Sequence, residues 1–364
     1  MATEEIIKVT LKDGSEVSYA MRGLREGEVD EWAAFCASVF AYKANPPPAS
    51  YFGRHYYNDP ERSSELIRVV LFHPEGAPKP QIVASCRVFR RTISFGNGNN
   101  EGVQAGGIGE VCTDDKHRRR GLSKLLLKDA IRIMTDQKMK LSLLHAGPAF
   151  FKVYESSGYA CTLSCWSVVT IEKSALKSAA STDASKTSIR LARFPSDTQQ
   201  LRPLHQKFTE ARFAGSIIRS EAYWNDYLSK ELEETLWTMT ESDKIIAWMS
   251  VRSRGEDRIQ VREFGYDVAS IGEVVHVHFF TELLWQATNA LLVGDSRDEI
   301  ALHLPTFILD DIRESKNKTS YIDWSTEAAE DDHGWMYRKL GESELDMPEI
   351  TKTRPHLIWP SDSF

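Results

Sequence analysis

The chain contains 364 residues with a formal net charge of −7, and 41% of the residues are hydrophobic. This length predicts two domains or two large lobes with a sizeable core. The net negative charge argues against nucleic acid or an anionic membrane as a general partner. No apolar run approaches the length that crosses a bilayer. We therefore expect a globular protein without a nucleic-acid or membrane partner.

The cysteines predict a reducing compartment. None of the five forms a CxxC pair, and the N-terminal sequence MATEEIIKV lacks the apolar core of a signal peptide. We expect reduced, mostly buried thiols in a cytoplasmic protein, rather than disulfides or a zinc site. The cysteines are Cys36, Cys86, Cys112, Cys161 and Cys165.

The first hundred residues predict a sheet interrupted by helices. Asp13-Gly14 is a strong hairpin signal between two short strands. Apolar residues between 29 and 40 have helical spacing, and this helix ends before the proline run 46–48. The predicted strands of this region are 6–10, 16–21, 67–72 and 81–95.

The stretch from Gly106 to Met134 predicts a short strand, a tight basic loop and an amphipathic helix. The loop places Arg118, Arg119 and Arg120 at the start of the helix, where the helix dipole is already positive. Because cations are unfavourable at that position, the pattern favours a bound phosphate, and Gly121 would let the backbone approach it closely. The alternative is a solvated basic helix start.

This loop resembles the Q/R-x-x-G-x-G/A pyrophosphate loop of the GNAT (Gcn5-related N-acetyltransferase) superfamily, which also lies between a strand and a helix. It departs from that pattern at Ser123, where the family has glycine or alanine, and at Asp115, where many members have proline. The resemblance implies acetyl-CoA as co-substrate, held by the strand end and by the loop. The cofactor-binding positions it implies are Val111, Cys112, Thr113, Arg118, Arg119, Arg120, Gly121, Leu122 and Ser123.

Two further segments are similar to parts of the same superfamily. AFFKVYESSGY resembles its signature of a tyrosine-bearing helix followed by Gly-Tyr, which makes Tyr154 the expected acid at the leaving thiolate. The aromatic residues of 51–57 could line the acceptor-amine cleft or could pack under a loop. Tyr154 could likewise be only a packing residue on its helix.

The acceptor ammonium must lose a proton before its nitrogen attacks the thioester. Glu110, on the strand beside the expected thioester position, is the first candidate base, and His145 at the end of the next strand is the second. Each could instead be a capping or turn residue. Some members of the superfamily have no protein base, so a water chain is a third possibility.

Beyond a linker rich in small polar residues, the order of predicted elements repeats. We expect a catalytic domain over 1–171, a linker over 172–188 and a degenerate second lobe with an aromatic and acidic tail over 189–364. After VREFGYD the second lobe lacks an arginine-rich glycine loop, so it is expected to hold no pyrophosphate.

This arrangement is similar to the mycobacterial enhanced-intracellular-survival acetyltransferases and to fungal lysine N6-acetyltransferases. The implied fold class is α/β (α+β): a tandem GNAT acyl-CoA N-acyltransferase fold with a mixed, bent sheet flanked by helices in each lobe.

The tail is predicted to pack against the lobes because it is aromatic. Its acidic cluster of Glu327, Glu330, Asp331 and Asp332 would favour a cationic acceptor if it faced the cleft, although a solvated loop is the alternative. No metal site is expected, because His276 and His278 share a face on a strand and not on the helix predicted there.

The expected function is an acetyl-CoA-dependent N-acetyltransferase that transfers the acetyl group directly to a primary amine. The amine would belong to a small molecule or a lysine-type acceptor, and the oligomeric state is left open. The alternatives are a CoA-binding regulatory or scaffold protein of weak catalytic activity and an acyltransferase for another acyl group or an oxygen acceptor. Retention of Tyr154 favours an enzyme, because a binding-only protein has no use for an acid at the leaving sulfur.

Overall fold

A mixed eight-stranded sheet forms the first lobe of the computed structural model, which describes residues 4–95, 102–180, 187–255, 257–267, 276–314, 322–324 and 328–362. Neighbouring strands are antiparallel except for the parallel pair β5 and β6. In sheet order the strands are β1 (Glu5–Thr10), β2 (Glu16–Gly23), β3 (Ile67–Phe72), β4 (Gln81–Ile93), β5 (Val103–Thr113), β6 (Leu141–His145), β15 (Trp335–Lys339) and β7 (Ala160–Cys161).

Helices cover both faces of this sheet because the central strands present apolar side chains on each side. Helices α1 (Val29–Val39) and α2 (Ala49–Tyr57) bury Trp32, Phe52 and Tyr56 on one face. The other face is covered by α3 (Leu122–Asp136), whose leucines pack on β4 and β5, and by the short α4 (Phe151–Glu155).

The second lobe repeats this plan with a seven-stranded sheet in which the single parallel pair is β12 and β13. Its strands in sheet order are β14 (Ala328–Ala329), β8 (Trp166–Glu172), β13 (Glu299–Pro305), β12 (Arg258–Tyr266), β11 (Lys244–Arg254), β10 (Leu236–Glu241) and β9 (Thr187–Leu191). Its helices are α5 (Lys173–Ala180), α6 (Thr198–Arg212), α7 (Ser229–Glu231), α8 (His276–Leu291) and α9 (Thr306–Glu314), with a π-helical turn at Tyr223–Leu228 before α7. Helix α10 (Met347–Ile350) follows β15, and its Met347 packs in one cluster with Leu141 and Tyr337 of the first sheet.

The fold is therefore the tandem GNAT arrangement that the sequence predicts: two mixed sheets flanked by helices, each with a helix between its parallel strands. The aromatic tail packs as predicted, since Leu357 and Trp359 are buried. Among the described residues no helix has both the length and the apolar character that a bilayer span requires. The same residues contain no group of three or more His, Cys, Asp and Glu that could hold a metal ion.

Each sheet contains a strand from the other half of the sequence. Strand β8 pairs with β13 in the second sheet, and β15 pairs with β6 in the first. The domain boundaries stay a prediction. The pairing of β8 and β15 shows in addition that the two lobes exchange strands. All five cysteines are unpaired thiols; Cys36, Cys86 and Cys112 are buried, whereas Cys161 and Cys165 are exposed.

Candidate active site

The two parallel strands of the first sheet separate at their carboxyl ends. Their pairing runs from Ala105 opposite Leu141 to Ile108 opposite Leu144. Strand β5 continues to Thr113, while β6 ends at His145. The gap between them exposes backbone groups of the last residues of β5 to a ligand, because each residue carries one donor and one acceptor that need a partner.

A β-bulge distorts β5 at the same level. Ser85 lies opposite Cys112 and Arg87 lies opposite Gly109, so one extra residue has to be accommodated between them. Glu110 adopts the left-handed conformation there, with φ of 53°. Bulges redirect side chains and are frequent beside active sites.

The Glu110 carboxylate is buried between the sheet and α2. Its Oε1 lies 3.5 Å from Nη1 of Arg87, and its Oε2 has no hydrogen-bond partner among the described residues. Burial raises the pKa of Glu110 to about 7, although the Arg87 guanidinium opposes this rise. A carboxylate with a pKa near neutrality can accept a proton from an ammonium group at physiological pH.

A cavity of about 350 Å³ opens beside Glu110. Tyr51 forms part of its wall, and its ring lies against that of His55 with centroids 4.2 Å apart and planes inclined at 39°. Phe52 lines the cavity and also belongs, with Tyr56, to the buried core under α2. The aromatic segment thus contributes both to the cavity wall and to the core. The cavity is lined by Phe40, Lys43, Asn45, Pro47, Tyr51, Phe52, His55 and Glu110.

On the opposite face of the sheet, helix α3 begins without a capping side chain. Gly121 is its N-cap residue and has φ of 77°, which glycine adopts without strain. The amide of Leu125 donates to the carbonyl of Gly121 at 3.1 Å, which closes the first turn of the helix. The preceding amides, including those of Leu122 and Ser123, are the free N–H groups that bind anions at helix N-termini.

The three loop arginines differ in their surroundings. Arg120 donates to the Tyr19 hydroxyl and, at 2.7 Å, to the Lys116 carbonyl, so it fixes the loop to the sheet. Arg118 is exposed and pairs with Asp115 at 2.6 Å. Arg119 is exposed, has φ of 61° and has no ion pair within the described part of the chain. Arg118 also donates through Nε to the Thr113 carbonyl at 3.2 Å, so Arg119 is the loop guanidinium group that no ion pair holds within the described ranges.

A cavity of about 520 Å³ extends from Gly121 along α3 to the end of α4. Three cations line it: Lys124 and Lys128, one helical turn apart, and Arg338 from β15. In the sequence both lysines fall on the polar face of the amphipathic helix, and their spacing of three and seven residues from Gly121 puts them on the side of the loop. Arg338 could not be found in that way, because it reaches the cavity from a strand about 200 residues away in the chain.

Tyr154 lies on α4 and packs with Val111 in the cluster on the α3 side of the sheet. Its ring meets Tyr159 edge to face at 6.1 Å, and its hydroxyl has no hydrogen-bond partner among the described residues. Burial raises the pKa of Tyr154 to about 12. The phenol is therefore protonated at neutral pH and free to donate, and it lies across β5 from Glu110.

The other candidate positions are placed as follows. The side chain of Cys112 points under α1, where its Sγ lies 3.9 Å from Sγ of Cys36, so only its backbone can face the gap. His145, the second candidate base, lies 3.0 Å from both carboxylate oxygens of Asp332. Although burial opposes it, this contact with His145 lowers the pKa of Asp332. His145 thus joins β6 to the tail.

Of the predicted acidic cluster, Glu327 lies outside the described residues. Glu330 contacts Arg258, Asp332 contacts His145, and Asp331 accepts from the backbone amide of Trp166 at 3.3 Å. The side chains described here are therefore engaged within the protein.

The family model described as acetyltransferase (GNAT) domain matches residues 20–162. No curated protein sequence matches the chain.

Several solved structures share the fold at low sequence identity. A probable N-acyltransferase from Enterococcus faecalis V583 is 12% identical, with a TM-score of 0.62 over 92% of this chain and 74% of that one. Eis1 from Mycobacterium abscessus is 12% identical, with a TM-score of 0.53 over 88% and 73%. Saccharomyces cerevisiae N-myristoyltransferase with bound myristoyl-CoA is 11% identical, with a TM-score of 0.51 over 93% and 85%.

The matched segment contains β5, β6, the arginine-glycine loop, α3 and α4, which form the gap and, together with Arg338 of β15, the cavity described above. Residues 20–162 therefore match the acetyltransferase (GNAT) domain, and the two lobes share the tandem fold of the solved structures named above.

Proposed function

We propose that this protein is an N-acetyltransferase that uses acetyl-CoA and a primary amine. The observation that carries the proposal is the uncapped N-terminus of α3, which opens into a cavity lined by Lys124, Lys128 and Arg338. Free amides at the positive end of a helix dipole, surrounded by cations, have the chemistry of a diphosphate site.

The cofactor would occupy the α3 side of the sheet. Amides between Arg119 and Ser123 would bind the diphosphate, with Arg118 and Arg119 beside it and Leu122 and Gly121 leaving the backbone accessible. Backbone groups of Val111, Cys112 and Thr113 would hydrogen-bond the pantetheine arm in the gap between β5 and β6. Lys124, Lys128 and Arg338 would neutralise the remaining phosphate charge.

The acceptor amine would enter the cavity on the opposite side, next to Glu110. Glu110 takes a proton from the ammonium group, and the nitrogen lone pair then attacks the thioester carbonyl carbon. The C–N bond forms, the C–S bond breaks, and Tyr154 donates its proton to the departing thiolate. The nitrogen releases its second proton as the C–S bond breaks, and through solvent this proton returns the Tyr154 phenolate to the phenol. Glu110 then releases the first proton to solvent. A water chain between the amine and Glu110 performs the same transfer where the distance exceeds hydrogen-bond range.

Two alternatives differ from this proposal in what they require. A CoA-binding regulatory or scaffold protein would need the α3 site but neither a buried carboxylate with a raised pKa nor a free phenol, so Glu110 and Tyr154 favour an enzyme. A longer acyl group is suggested by the similarity to the N-myristoyltransferase structure. Comparing thiol release from acetyl-, octanoyl- and myristoyl-CoA identifies the acyl group.

Calorimetric titration with acetyl-CoA tests the site directly. We expect binding by the wild-type chain and its loss in Gly121→Asp, because a carboxylate would occupy the diphosphate position. Gly121→Asn is the matched control: an asparagine side chain has nearly the same shape, carries no charge and tolerates positive φ. A built Cβ at Gly121 meets no atom within 4 Å, so neither side chain clashes with the fold.

The expected order of affinity is wild type, then Gly121→Asn, with Gly121→Asp far weaker. Equal affinity in the Asp and Asn variants would show that no anion binds at this helix end. No binding by the wild type would contradict the proposed function.

A further inference from the structure

Four charged side chains form one buried cluster at the proposed base. Glu110 of β5 and Arg87 and Arg91 of β4 belong to it, together with Asp59 from the segment that follows α2. Arg87 and Arg91 are four residues apart on one strand, so they lie on the same face of the sheet. None of the four side chains is more than 9% exposed. When both carboxyl groups are ionised, the charges of the cluster balance.

The hydrogen bonds of Arg87 go to Asp59 and not to Glu110. Nη2 of Arg87 donates to Oδ2 of Asp59 and to the carbonyl oxygen of His55, each at 3.3 Å. Nη1 lies 3.5 Å from Oε1 of Glu110 but makes no hydrogen bond with any described residue, and Oε2 of Glu110 makes none either. A close ion pair between a guanidinium group and a carboxylate has hydrogen bonds of about 2.7–2.9 Å. The contact between Arg87 and Glu110 is therefore looser than such a pair.

Asp59 is also held by donors other than Arg87. Its Oδ2 accepts from Nη1 of Arg91 at 3.1 Å, and its Oδ1 accepts from the backbone amide of Glu61 at 3.0 Å. The Arg91 guanidinium lies over the ring of Tyr223, 5.1 Å from its centroid, and so contacts the π-helical turn of the second lobe. Asp59 is thus fixed in place by contacts that do not depend on Glu110.

Asp59 and Arg87 act on Glu110 in opposite directions. Burial raises the pKa of Glu110 to about 7, Arg87 opposes this rise, and Asp59 adds to it. A carboxylate in a close ion pair has a lowered pKa and is a weaker base towards an ammonium group. The loose contact with Arg87 therefore preserves the basicity of Glu110.

On the cavity side, the titratable groups around Glu110 are Tyr51 and His55 of α2 and the exposed Lys43. Burial raises the pKa of Tyr51 and lowers that of His55 to about 4, so both side chains are uncharged at neutral pH. Glu231 of the second lobe lies 3.4 Å from Nε2 of His55.

On the core side, the titratable groups are the buried thiols of Cys36, Cys86 and Cys112. Burial raises the pKa of Cys36 and of Cys86, and the nearby Glu110 adds to both rises. Sγ of Cys112 lies 3.9 Å from Sγ of Cys36. Within the described part of the chain, Arg87 and Asp59 are therefore the buried charged groups that act on Glu110.

We infer that Asp59 is a positioning residue: by accepting a hydrogen bond from Arg87, it keeps this guanidinium group from forming a close ion pair with Glu110. The inference rests on the proposed function, in which Glu110 takes a proton from the ammonium group. Asp59 acts only through Arg87 in this role and contacts neither the amine nor the cofactor.

Replacing the two partners should shift the titration of Glu110 in opposite directions. Arg87→Gln removes the cation, so the midpoint should rise by about one pH unit. Asp59→Asn removes the competing carboxylate, so Arg87 can pair with Glu110 and the midpoint should fall by about one pH unit. ¹³C NMR of protein labelled at glutamate Cδ measures this midpoint without substrate, and Glu110→Gln assigns the signal. Equal midpoints in the wild type and Asp59→Asn would overturn the inference.

Arg90→Gln is the matched control, because Arg90 lies on the other face of β4 and contacts Gln137 at 3.3 Å. It removes a charge from the same strand and should leave the Glu110 midpoint unchanged. If Asp59→Asn alone does not fold, the double variant Asp59→Asn/Arg91→Gln replaces it, because it removes one charge of each sign from the cluster. Its Glu110 midpoint should also fall, and a midpoint equal to that of the wild type would contradict the inference.

The same shifts should appear in the pH dependence of kcat/KM with 1,4-diaminobutane as the acceptor. The limiting rate at high pH should change by less than about tenfold in Asp59→Asn, because Asp59 itself transfers no proton. A large loss of rate at every pH with an unshifted midpoint would make Asp59 a structural residue and overturn the inference. Absence of thiol release with every amine would contradict the proposed function instead, while the NMR titration would still decide whether Asp59 controls Glu110.

Discussion

Glu110 is the residue whose protonation state controls the proposed reaction. It lies at the bulge of β5, is buried, and has one cation, Arg87, at 3.5 Å. Below a pH of about 7 the carboxyl group holds a proton and cannot accept another from the amine. Above that pH it is ionised and can act as a base.

The pH dependence of kcat/KM tests this role. We expect the rate to rise with pH, to reach half its limiting value near pH 7 and then to level off. Glu110→Gln should lower the limiting rate about a hundred- to ten-thousand-fold and remove this rise. An unchanged profile in the variant would assign the ionisation to a group other than Glu110.

The same ionisation affects stability. The native state retains the Glu110 proton up to about pH 7, whereas the unfolded chain releases it near the ordinary pKa of 4.5. This contribution therefore favours the native state at low pH and is lost as the pH rises from about 4.5 to about 7. Urea unfolding at pH 5 and at pH 7.5 should show a smaller difference in Glu110→Gln than in the wild type, and an equal difference would contradict the burial argument.

Tyr154 has the complementary role of acid, and Tyr159 provides a control. We expect Tyr154→Phe to lower kcat about a hundred- to ten-thousand-fold with little effect on stability, because its hydroxyl has no partner among the described residues. The Tyr159 hydroxyl bonds Ser142 at 2.7 Å. Tyr159→Phe should therefore lower stability by about 1 kcal/mol and leave kcat largely intact. Full activity in Tyr154→Phe would make Tyr154 a packing residue.

Glu110 and Tyr154 could be named from sequence because local motifs surround them. Lys43 and Arg338 could not, since only the fold brings them to the two cavities and no local pattern distinguishes them from surface cations. The loop arginines could be predicted in part. The sequence locates all three in the loop, but it does not show that Arg120 contacts Tyr19 or that Arg119 has no ion pair among the described residues.

At the scale of elements, a buried ion pair holds α3 to the sheet. Nε of Arg68, on β3, donates to Asp129 of α3 at 2.5 Å, and the exposed Arg132 contacts the other carboxylate oxygen at 2.7 Å. The pair fixes the helix whose first turn forms the proposed diphosphate site. Loss of this ion pair would therefore be expected to weaken cofactor binding as well as to lower stability.

Replacing one partner should have a large effect. We expect Arg68→Met to destabilise the protein by about 3–5 kcal/mol, because Asp129 is left buried with only an exposed partner. Arg132→Met removes that exposed partner and should cost less than about 1 kcal/mol. Denaturant unfolding of both variants gives these free energies. Similar losses of stability in the two variants would show that the buried ion pair contributes no more than the exposed one.

Most elements of both lobes could be predicted from hydrophobic periodicity and turn residues. The hairpin at Asp13-Gly14 and helix α3 are examples with clear local signals. The π-helical turn at Tyr223–Leu228 and the bulge at Glu110 carry no such signal, because both result from packing between elements distant in sequence.

At the scale of the whole molecule, the interleaved strands couple the two lobes. β15 lies in the first sheet and β8 in the second, and the buried Arg219 joins Glu263 of β12 to Asp362 near the C-terminus at 2.6 and 2.8 Å. Sequence alone assigns each segment to the lobe of its neighbours, so this exchange could not be predicted.

This coupling predicts cooperative unfolding. Differential scanning calorimetry should show one transition for both lobes, and acetyl-CoA should raise the temperature of that transition as a whole, because the ligand binds only the native state. Two separate transitions, only one of which responds to acetyl-CoA, would show that the lobes unfold independently.

The central claim is that an acyl-CoA lies between the loop of α3 and the gap beside β5, with its sulfur between Glu110 and Tyr154. A crystal structure with bound acetyl-CoA tests it most directly. We predict diphosphate oxygens within hydrogen-bond distance of the Leu122 and Ser123 amides, and the thioester sulfur within reach of the Tyr154 hydroxyl. Acetyl-CoA bound elsewhere, with the N-terminus of α3 in contact with solvent only, would contradict the account.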